Sequence, residues 1–446
     1  MADNNNLTVS EGERCCYFRV SSLLPACLEN NEEIPHMQTN SPLKTSLYKI
    51  IVGIGLLFAL ASPAFAIDGD ALVSRFQEIM QQNNLVMRNA GVNVDGNRVT
   101  LHDVRVTLVD DADRPDAFLP LGDVTFNQVE EGSDGSYTIR QASASDTDTA
   151  SNNDDQSSRL LIIQGIEVSD IYLAPRGTTY RLSQHLPYSR MAIRKIAIEN
   201  DGKNIFTAEN AASIYSKDQS DGLIRNESSI EAFMFDPSAL PGTEREAIQK
   251  TFADLGYDRI EADMHVTSTW EPVKGSLDLS RYDITMKDGG TLSLAMKLNG
   301  VTQDLLGELQ KISIRMGQSK KDEKINALAL LGLVQQVSIN SMTIRYDDNS
   351  LANRLLDSAS KTDGQPRAQT VAELKTVLPL LASQLQNPEF ADKTVKEMSA
   401  FLDNPKSLEI SAMPEKSVSF AILATTAITL PQKLIDVLGL RIAANQ

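Results

Sequence analysis

Cysteine is nearly missing from this 446-residue chain: Cys15, Cys16 and Cys27 are the only three, and all precede Met37. A chain processed beyond that point has no disulfide, no thiol nucleophile and no thiolate-held zinc or iron-sulfur cluster. Histidine is almost as scarce. His102, His185 and His265 stand far apart, and no two have a metal-ligand spacing such as HxxxH. There is no GxSxG elbow and no phosphate-binding glycine loop. Positive charge is also in deficit: 42 Lys and Arg face 59 Asp and Glu, a net −17. Such a chain repels phosphate backbones, which argues against nucleic acid as a partner.

The longest apolar run lies near the N-terminus. Lys44 and Lys49 precede an apolar core from Ile50 to Ala61, Pro63 breaks it, and Ala64-Phe65-Ala66 gives a small-x-small site before Ile67. This is the pattern of a cleaved secretory signal. Residues 37–66 therefore read as a signal peptide starting at Met37, and 1–36 as an upstream extension from a misassigned start. A retained anchor is the competing reading, but the uncharged span only just reaches membrane-spanning length. Ala64, Ala66 and Ile67 mark the expected cleavage site. A cysteine-free exported chain suits a bacterial periplasm, with no membrane span left after cleavage.

The remainder divides by composition into an N-terminal β-rich region (67–140), an acidic linker (141–158), a main β-rich domain (159–346) and a helical segment with terminal β elements (347–446). Residues 141–158, QASASDTDTASNNDDQSS, have no large apolar side chain and are expected to be disordered. Asp146, Asp148, Asp154 and Asp155 do not follow the calcium-loop pattern. Asp-Gly pairs at 95, 134, 201 and 288 predict tight turns. The clearest hairpin spans 280–298, with Tyr282, Ile284 and Met286 on one arm and Leu292, Leu294, Met296 and Leu298 on the other.

An eight-residue pattern recurs: apolar, x, apolar, x, x, apolar, x, apolar. It occurs at Val99-Leu101-Val104-Val106, at Ile166-Val168-Ile171-Leu173, and at Val337-Ile339-Met342-Ile344; Met191 and Ile193 with Ile196 and Ile198 give a variant. The double spacer shifts side-chain parity by one. Either a β-bulge restores a common face, or both faces of the sheet are partly covered. From 350 the period turns helical over 350–362 and 370–386, and Asn387-Pro388-Glu389 starts a third helix that Pro405 ends. Shorter helices are expected near 243–255 and 302–333. The fold class is α+β, a long twisted and mostly antiparallel sheet with bulged hairpins plus a C-terminal helical segment.

No set of residues stands out as catalytic. Asp263 and His265 share a strand face, Ser358 and Lys361 satisfy SxxK without a downstream KTG, and Asp347-Asp348 fits a helix cap better than an acid-base pair. Trp270 sits beside a predicted turn and reads as hairpin packing. The chain is read as non-enzymatic, with no cofactor and no metal.

The bulged pattern, the NDGKN and KDGGTLSL turns and the signal sequence resemble the repeat modules of AsmA-like periplasmic proteins of Gram-negative bacteria. The resemblance covers residues 91–346 and implies a long curved sheet with an apolar groove, and a link to envelope lipid transport and outer-membrane assembly. A cleaved N-terminus and the helices of 350–404 depart from that pattern. One expectation is a periplasmic envelope protein that holds a lipid or other hydrophobic ligand, with Leu292, Leu294, Met296 and Leu298 lining the groove. The alternative is a scaffold that docks an envelope protein partner through its C-terminal helices; a hydrolase with dispersed residues stands third.

Overall fold

The computed structural model describes residues 67–446 apart from 110–111, 114–117, 153–157, 179–181, 183, 219–221, 241–243 and 319–322. Residues 1–66, and with them the extension, the signal segment and the Ala64 and Ala66 positions, lie outside the described residues. Ile67 is described and is buried in a core cluster.

Among the described residues, seventeen strands form one sheet. Helix α1 (Gly69–Gln82) leads into the short strands β1 (Leu85–Arg88) and β2 (Gly91–Asp95), which pair side by side with β3 (Arg98–Leu108). Then follow β4 (Leu119–Glu131), β5 (Tyr137–Ala144), β6 (Thr147–Asn152), β7 (Ser158–Leu173), β8 (Arg190–Asn200), β9 (Lys203–Lys217) and β10 (Ile224–Phe235). Helix α2 (Glu244–Asp254) precedes β11 (Ile260–Glu271), β12 (Ser276–Met286) and β13 (Gly290–Asn299). Helices α3 (Gln303–Gln318) and α4 (Glu323–Val334) connect to β14 (Ser338–Asp348), and α5 (Leu351–Asp363), α6 (Arg367–Ser383) and α7 (Pro388–Asp403) to β15 (Ser407–Ala412). The chain closes with β16 (Val418–Ser419), α8 (Phe420–Thr429), α9 (Leu434–Leu438) and β17 (Leu440–Ala444). Each long strand pairs antiparallel with its neighbours in chain order, a meander built from local hairpins.

This sheet crosses the expected boundaries at 140, 158 and 346 without a break, and residues from 66 onward cluster as one compact unit. The linker reading of 141–158 is corrected for residues 141–152, while 153–157 lie outside the described residues. Residues 141–144 finish β5, and β6 pairs along β7 from Thr147 opposite Ile163 to Asn152 opposite Ser158. The physical reason is that a ladder needs backbone N–H and C=O groups, not apolar side chains, once a long neighbour is in place, and Thr147 and Thr149 are β-branched. Asp146 adds an anchor: its carboxylate accepts from Gly165 N–H at 2.8 Å and from Arg194 at 2.9 Å.

The parity question of the repeated pattern is settled by bulges. In β3 the extra residue is Asp103, at φ 49, and the register against β4 shifts between Leu101 and Val104. Asp170 (φ 52) sets the same three-residue spacing in β7, but it is matched by Arg140 in β5, so the register there does not shift. Further along β7 the extra residues of successive strands oppose one another, Gly165 against Arg194, then Asn210, then Glu231. β11 shows what this achieves. Ala262 and Met264 lie two apart on a regular stretch, hence on one face. Through β9 and β10 they are in line with Ile196 and Ile193, which lie three apart. One face of the sheet is therefore mainly apolar, interrupted by a hydrogen-bonded polar group of Ser213, Asn226 and Ser228 on β9 and β10, and the other carries residues such as Asp263, His265, Asp283 and Arg345.

The Asp103 bulge is held from the next strand. Its N–H donates to Asp123 Oδ1 at 3.0 Å, and the His102 ring lies 2.9 Å from Asp123 Oδ2. The Asp103 N–H, then His102, hold the Asp123 carboxyl below the usual carboxylate range. A folded pKa below the unfolded one gives a contribution that is present above the ordinary Asp value near ~4 and is lost as pH falls through the folded value. An NMR titration is expected to place the Asp123 midpoint below that of an unstructured Asp. An unshifted midpoint would show that the N–H contact is absent in solution.

Candidate functional site: an uncovered apolar face

Among the described residues, the apolar face is covered at one side of the sheet and left open at the other. Over β3 to β7, α1 lies on it with Leu72, Val73 and Phe76, whose ring stacks on Phe126 at 4.7 Å. Val99, Leu101, Val104 and Ile139 are exposed by 1% or less there. The same face continues over β8 to β15. One lateral row runs Ile193, Ala211, Ile230, Met264, Ile284, Leu292, Tyr346, Leu408 by direct cross-strand pairing. The next runs Val266, Tyr282, Leu294, Ile344, Ile410. None of these side chains is buried, and Leu292, Ile344 and Ile410 are exposed by 46%, 43% and 45%.

Helices bound this open region at both strand ends. At the end where β13 stops and β14 starts, Leu305 of α3 packs on Leu277 and Leu298 with Val301 and Val337. Trp270 Nε1 donates to Val301 O at 2.6 Å, which fixes it as hairpin packing. At the other end, Phe252 of α2 meets Phe235 with ring centroids 5.9 Å apart, and Arg354 of α5 donates to the carbonyls of Leu255 and Gly256 at 3.1 and 2.8 Å.

Curvature turns this bounded face into a trough. Gln310 of α3 donates to Asn83, beside β1, at 2.7 Å, and Leu182 N–H donates to Gln303 Oε1 at 3.0 Å. In a flat sheet β3 and β13 would lie roughly 43 Å apart at about 4.8 Å per strand. A helix of sixteen residues is only about 24 Å long. The sheet must curl for the contact to form, with the apolar face inward, because α1 and α3 both pack on that face.

The four residues singled out in the sequence, Leu292, Leu294, Met296 and Leu298, all lie on this face of β13. Their surroundings differ: Leu292 and Leu294 line the open middle, Met296 pairs across to Leu279 and Met342, and Leu298 belongs to the cluster under α3. Tyr346 keeps the row uncharged. Its hydroxyl lies 2.7 Å from Asp348 Oδ1 and 3.1 Å from Gly289 O, and burial, then the Asp348 hydrogen bond, push the phenol up. On β8 the trough residue Ile193 belongs to the repeated pattern, whereas the trough residues on β9 and β10 were missed in the sequence because Ala, Ser and Asn interrupt their apolar alternation.

The candidate catalytic residues do not converge. His102 pairs with Asp123, His185 stacks on Tyr172 at 4.0 Å, and His265 lies 3.5 Å from Asp263, each in a different part of the sheet. Asp348 Oδ1 accepts from Ala352 N–H at 2.8 Å at the start of α5, and Asp347 takes the Arg345 guanidinium at 2.7 Å. Ser358 and Lys361 lie on α5, with Lys361 exposed in its last turn. A cleft of about 1010 Å³ lies near Arg140, Asp170, Tyr172 and His185. Within it Arg140 pairs with Asp170 at 2.6 Å, and the Ser189 hydroxyl donates to the same carboxylate at 2.6 Å. Among the described residues no three His, Cys, Asp or Glu side chains group to hold a metal ion.

A family model described as "Uncharacterized protein" matches residues 283–445, from within β12 to β17. No curated protein matches the chain.

Proposed function

We propose that the trough over β8 to β15 holds the acyl chains of a lipid or a similar hydrophobic ligand, and that the protein is a non-enzymatic component of the cell envelope. One observation carries this reading: the same apolar strand face is sealed by α1 in β3 to β7 and, among the described residues, has no such cover from β8 to β15. Exposed apolar surface on this scale marks a binding surface. The steps from β8 to β15, at about 4.8 Å each, span roughly 34 Å. An acyl chain is about half the ~30 Å hydrocarbon core of a bilayer, so the trough has room for two end to end. The AsmA-like resemblance and the secretory pattern before Ile67 support the same reading and an address in the periplasm.

Leu292→Glu and Ile344→Glu test it. Both side chains are nearly half exposed, so a carboxylate can reach water and the unfolding midpoint should hardly move. Uptake of an apolar fluorescent probe should fall about tenfold or more, because a charge in the chain path must be desolvated. Mass spectrometry of protein purified without detergent should detect bound lipid, and less of it in both variants. A folded protein that carries no lipid and takes up no probe would overturn the proposal. A second reading has its own support: Leu374, Val377 and Leu381 form an exposed stripe at helical spacing on α6. Docking of an amphipathic helix from an envelope protein there is the reading that such a result would favour.

A further inference from the structure

Helix α8 conflicts with its surroundings. Its sequence, FAILATTAIT, is apolar all round, and such a helix is normally buried in a protein core or in lipid. None of its residues is buried. Ile422 is exposed by 51% and Ile428 by 84%, and Leu430 just beyond it by 51%. Residues 418–432 contain no charged side chain, although the chain as a whole carries −17. Lys416 and Lys433 bracket the segment; Lys433 is exposed and paired with Asp436 at 3.1 Å.

Two of the three threonine hydroxyls of α8 bond back into the helix. Thr425 Oγ1 donates to Ala421 O at 2.9 Å and Thr429 Oγ1 to Thr425 O at 2.8 Å. Ser419 caps the first turn by accepting from Ile422 N–H at 3.3 Å. These two exposed hydroxyls can enter hydrocarbon without stranding a donor, and Thr426 is the half-buried one of the three. Beside it, Phe420 N–H donates to Val337 O at 3.0 Å, which places the start of α8 close to the end of α4. Leu330 and Leu331 of α4 are exposed there by 37% and 43%.

We infer that α8, with the exposed leucines of α4, inserts into one leaflet of a lipid bilayer with zwitterionic headgroups. Length fixes the mode: ten residues are about 15 Å long, half the ~30 Å hydrocarbon core, so the helix can enter a leaflet but not cross. Among the described residues no helix is long and apolar enough to cross a membrane. Charge selects the lipid, because an acidic chain is repelled by anionic surfaces and must adhere through an uncharged patch. Lysines at both ends of the segment suit the headgroup level, where long side chains reach out to water. This inference does not rest on the trough reading.

The test is flotation of the full chain with phosphatidylcholine vesicles. The native protein should float, and Ile422→Glu with Ile428→Glu should reduce partitioning at least about tenfold. Circular dichroism and the unfolding midpoint should be unchanged, since both side chains face solvent. Ile428→Trp, read against the native Trp270 background, should be quenched by brominated lipid at leaflet depth. Lack of flotation by the native protein, or equal flotation by the double variant, would overturn the inference. So would a concentration-dependent dimer that the double variant abolishes without any vesicle binding, which would assign the patch to a second copy. Bound lipid in the trough should be the same in the native and double-variant proteins, so the two readings can fail separately.

Discussion

Asp103→Val is expected to destabilise the N-terminal part of the sheet. In β3 Asp103 is the extra residue, at φ 49, between the stretch that pairs with β2 (98–102) and the stretch that pairs with β1 (105–108). A β-branched side chain fits this left-handed conformation poorly, at a cost of about 1–2 kcal/mol or more. If the strand straightened instead with its length unchanged, every side chain beyond the bulge would turn to the opposite face. Val104, now exposed by 1%, and Val106, packed against the same cluster, would then leave the core under α1. At about 1.5–3 kcal/mol for each valine, that route costs roughly 3–6 kcal/mol, so the backbone strain is the smaller cost and sets the expected loss. Asp103→Gly is the control, because glycine adopts this φ without strain and the exposed Arg105 partner is worth little. Deletion of Asp103 is the complementary variant: it leaves Leu101 and Val104 two apart, so a regular strand keeps both on the core face. Urea unfolding should show a lower midpoint for the valine variant and little change for the glycine one. A valine variant of native stability would mean that Asp103 does not hold its positive φ in solution.

The second large effect is expected from Gly300→Ala. Gly300 has φ +84, and an added Cβ would lie 2.0 Å from Gln336 O and 2.9 Å from the Gln336 carbonyl carbon. Both obstacles are backbone, so no rotamer change relieves them. Positive φ alone costs a side-chain-bearing residue about 1–2 kcal/mol, and the clash must then separate the end of β13 from the start of β14. A total of about 3 kcal/mol or more is expected. The damage has a place: Val301, Leu305 and Val337 form the cluster that seats α3, and α3 carries the Gln310 contact to Asn83 that holds the curl. Hydrogen exchange should therefore show lost protection at 301–312 together with the drop in melting temperature. Gly307→Ala, in α3 with open space around the added Cβ, should be neutral or slightly stabilising. If both substitutions behave alike, the close approach at Gly300 is not a constraint in solution.

The local elements were legible in the sequence wherever a short-range signal names them. Asn387 caps α7 by accepting from Phe390 N–H at 3.0 Å, with Pro388 in the first turn as the pattern implied. Gly96, Gly135 and Gly202 take positive φ at the Asp-Gly turns, and at the fourth it is Asp288 that does so. Strand Ser407–Ala412 has the expected bounds, and α5 to α7 fall within a few residues of theirs. Alternation with a two-residue spacer located the bulged strands but left their parity open, because a sequence records spacing and not which residue takes φ near +50. Residues 141–152 were misread for a related reason: their place in the sheet is given by β7, a sixteen-residue strand that follows them and that a compositional window over them does not contain. The terminal run from Val418 held a two-residue strand and then a helix, since fifteen uncharged residues carry no periodic signal to separate the two.

What the sequence by itself determined is the kind of pieces and their order: bulged antiparallel hairpins, a helical segment after them and an acidic charge balance. Those follow from backbone propensity, turn chemistry and charge, all of which act over a few residues. Only the tertiary structure decided which apolar residues are covered. Leu101 and Leu294 stand in equivalent alternating strands, yet one is sealed under α1 and the other is open to the trough. The difference depends on where a helix lands on a curled sheet, and it is fixed by contacts such as Gln310 to Asn83 between positions 227 residues apart.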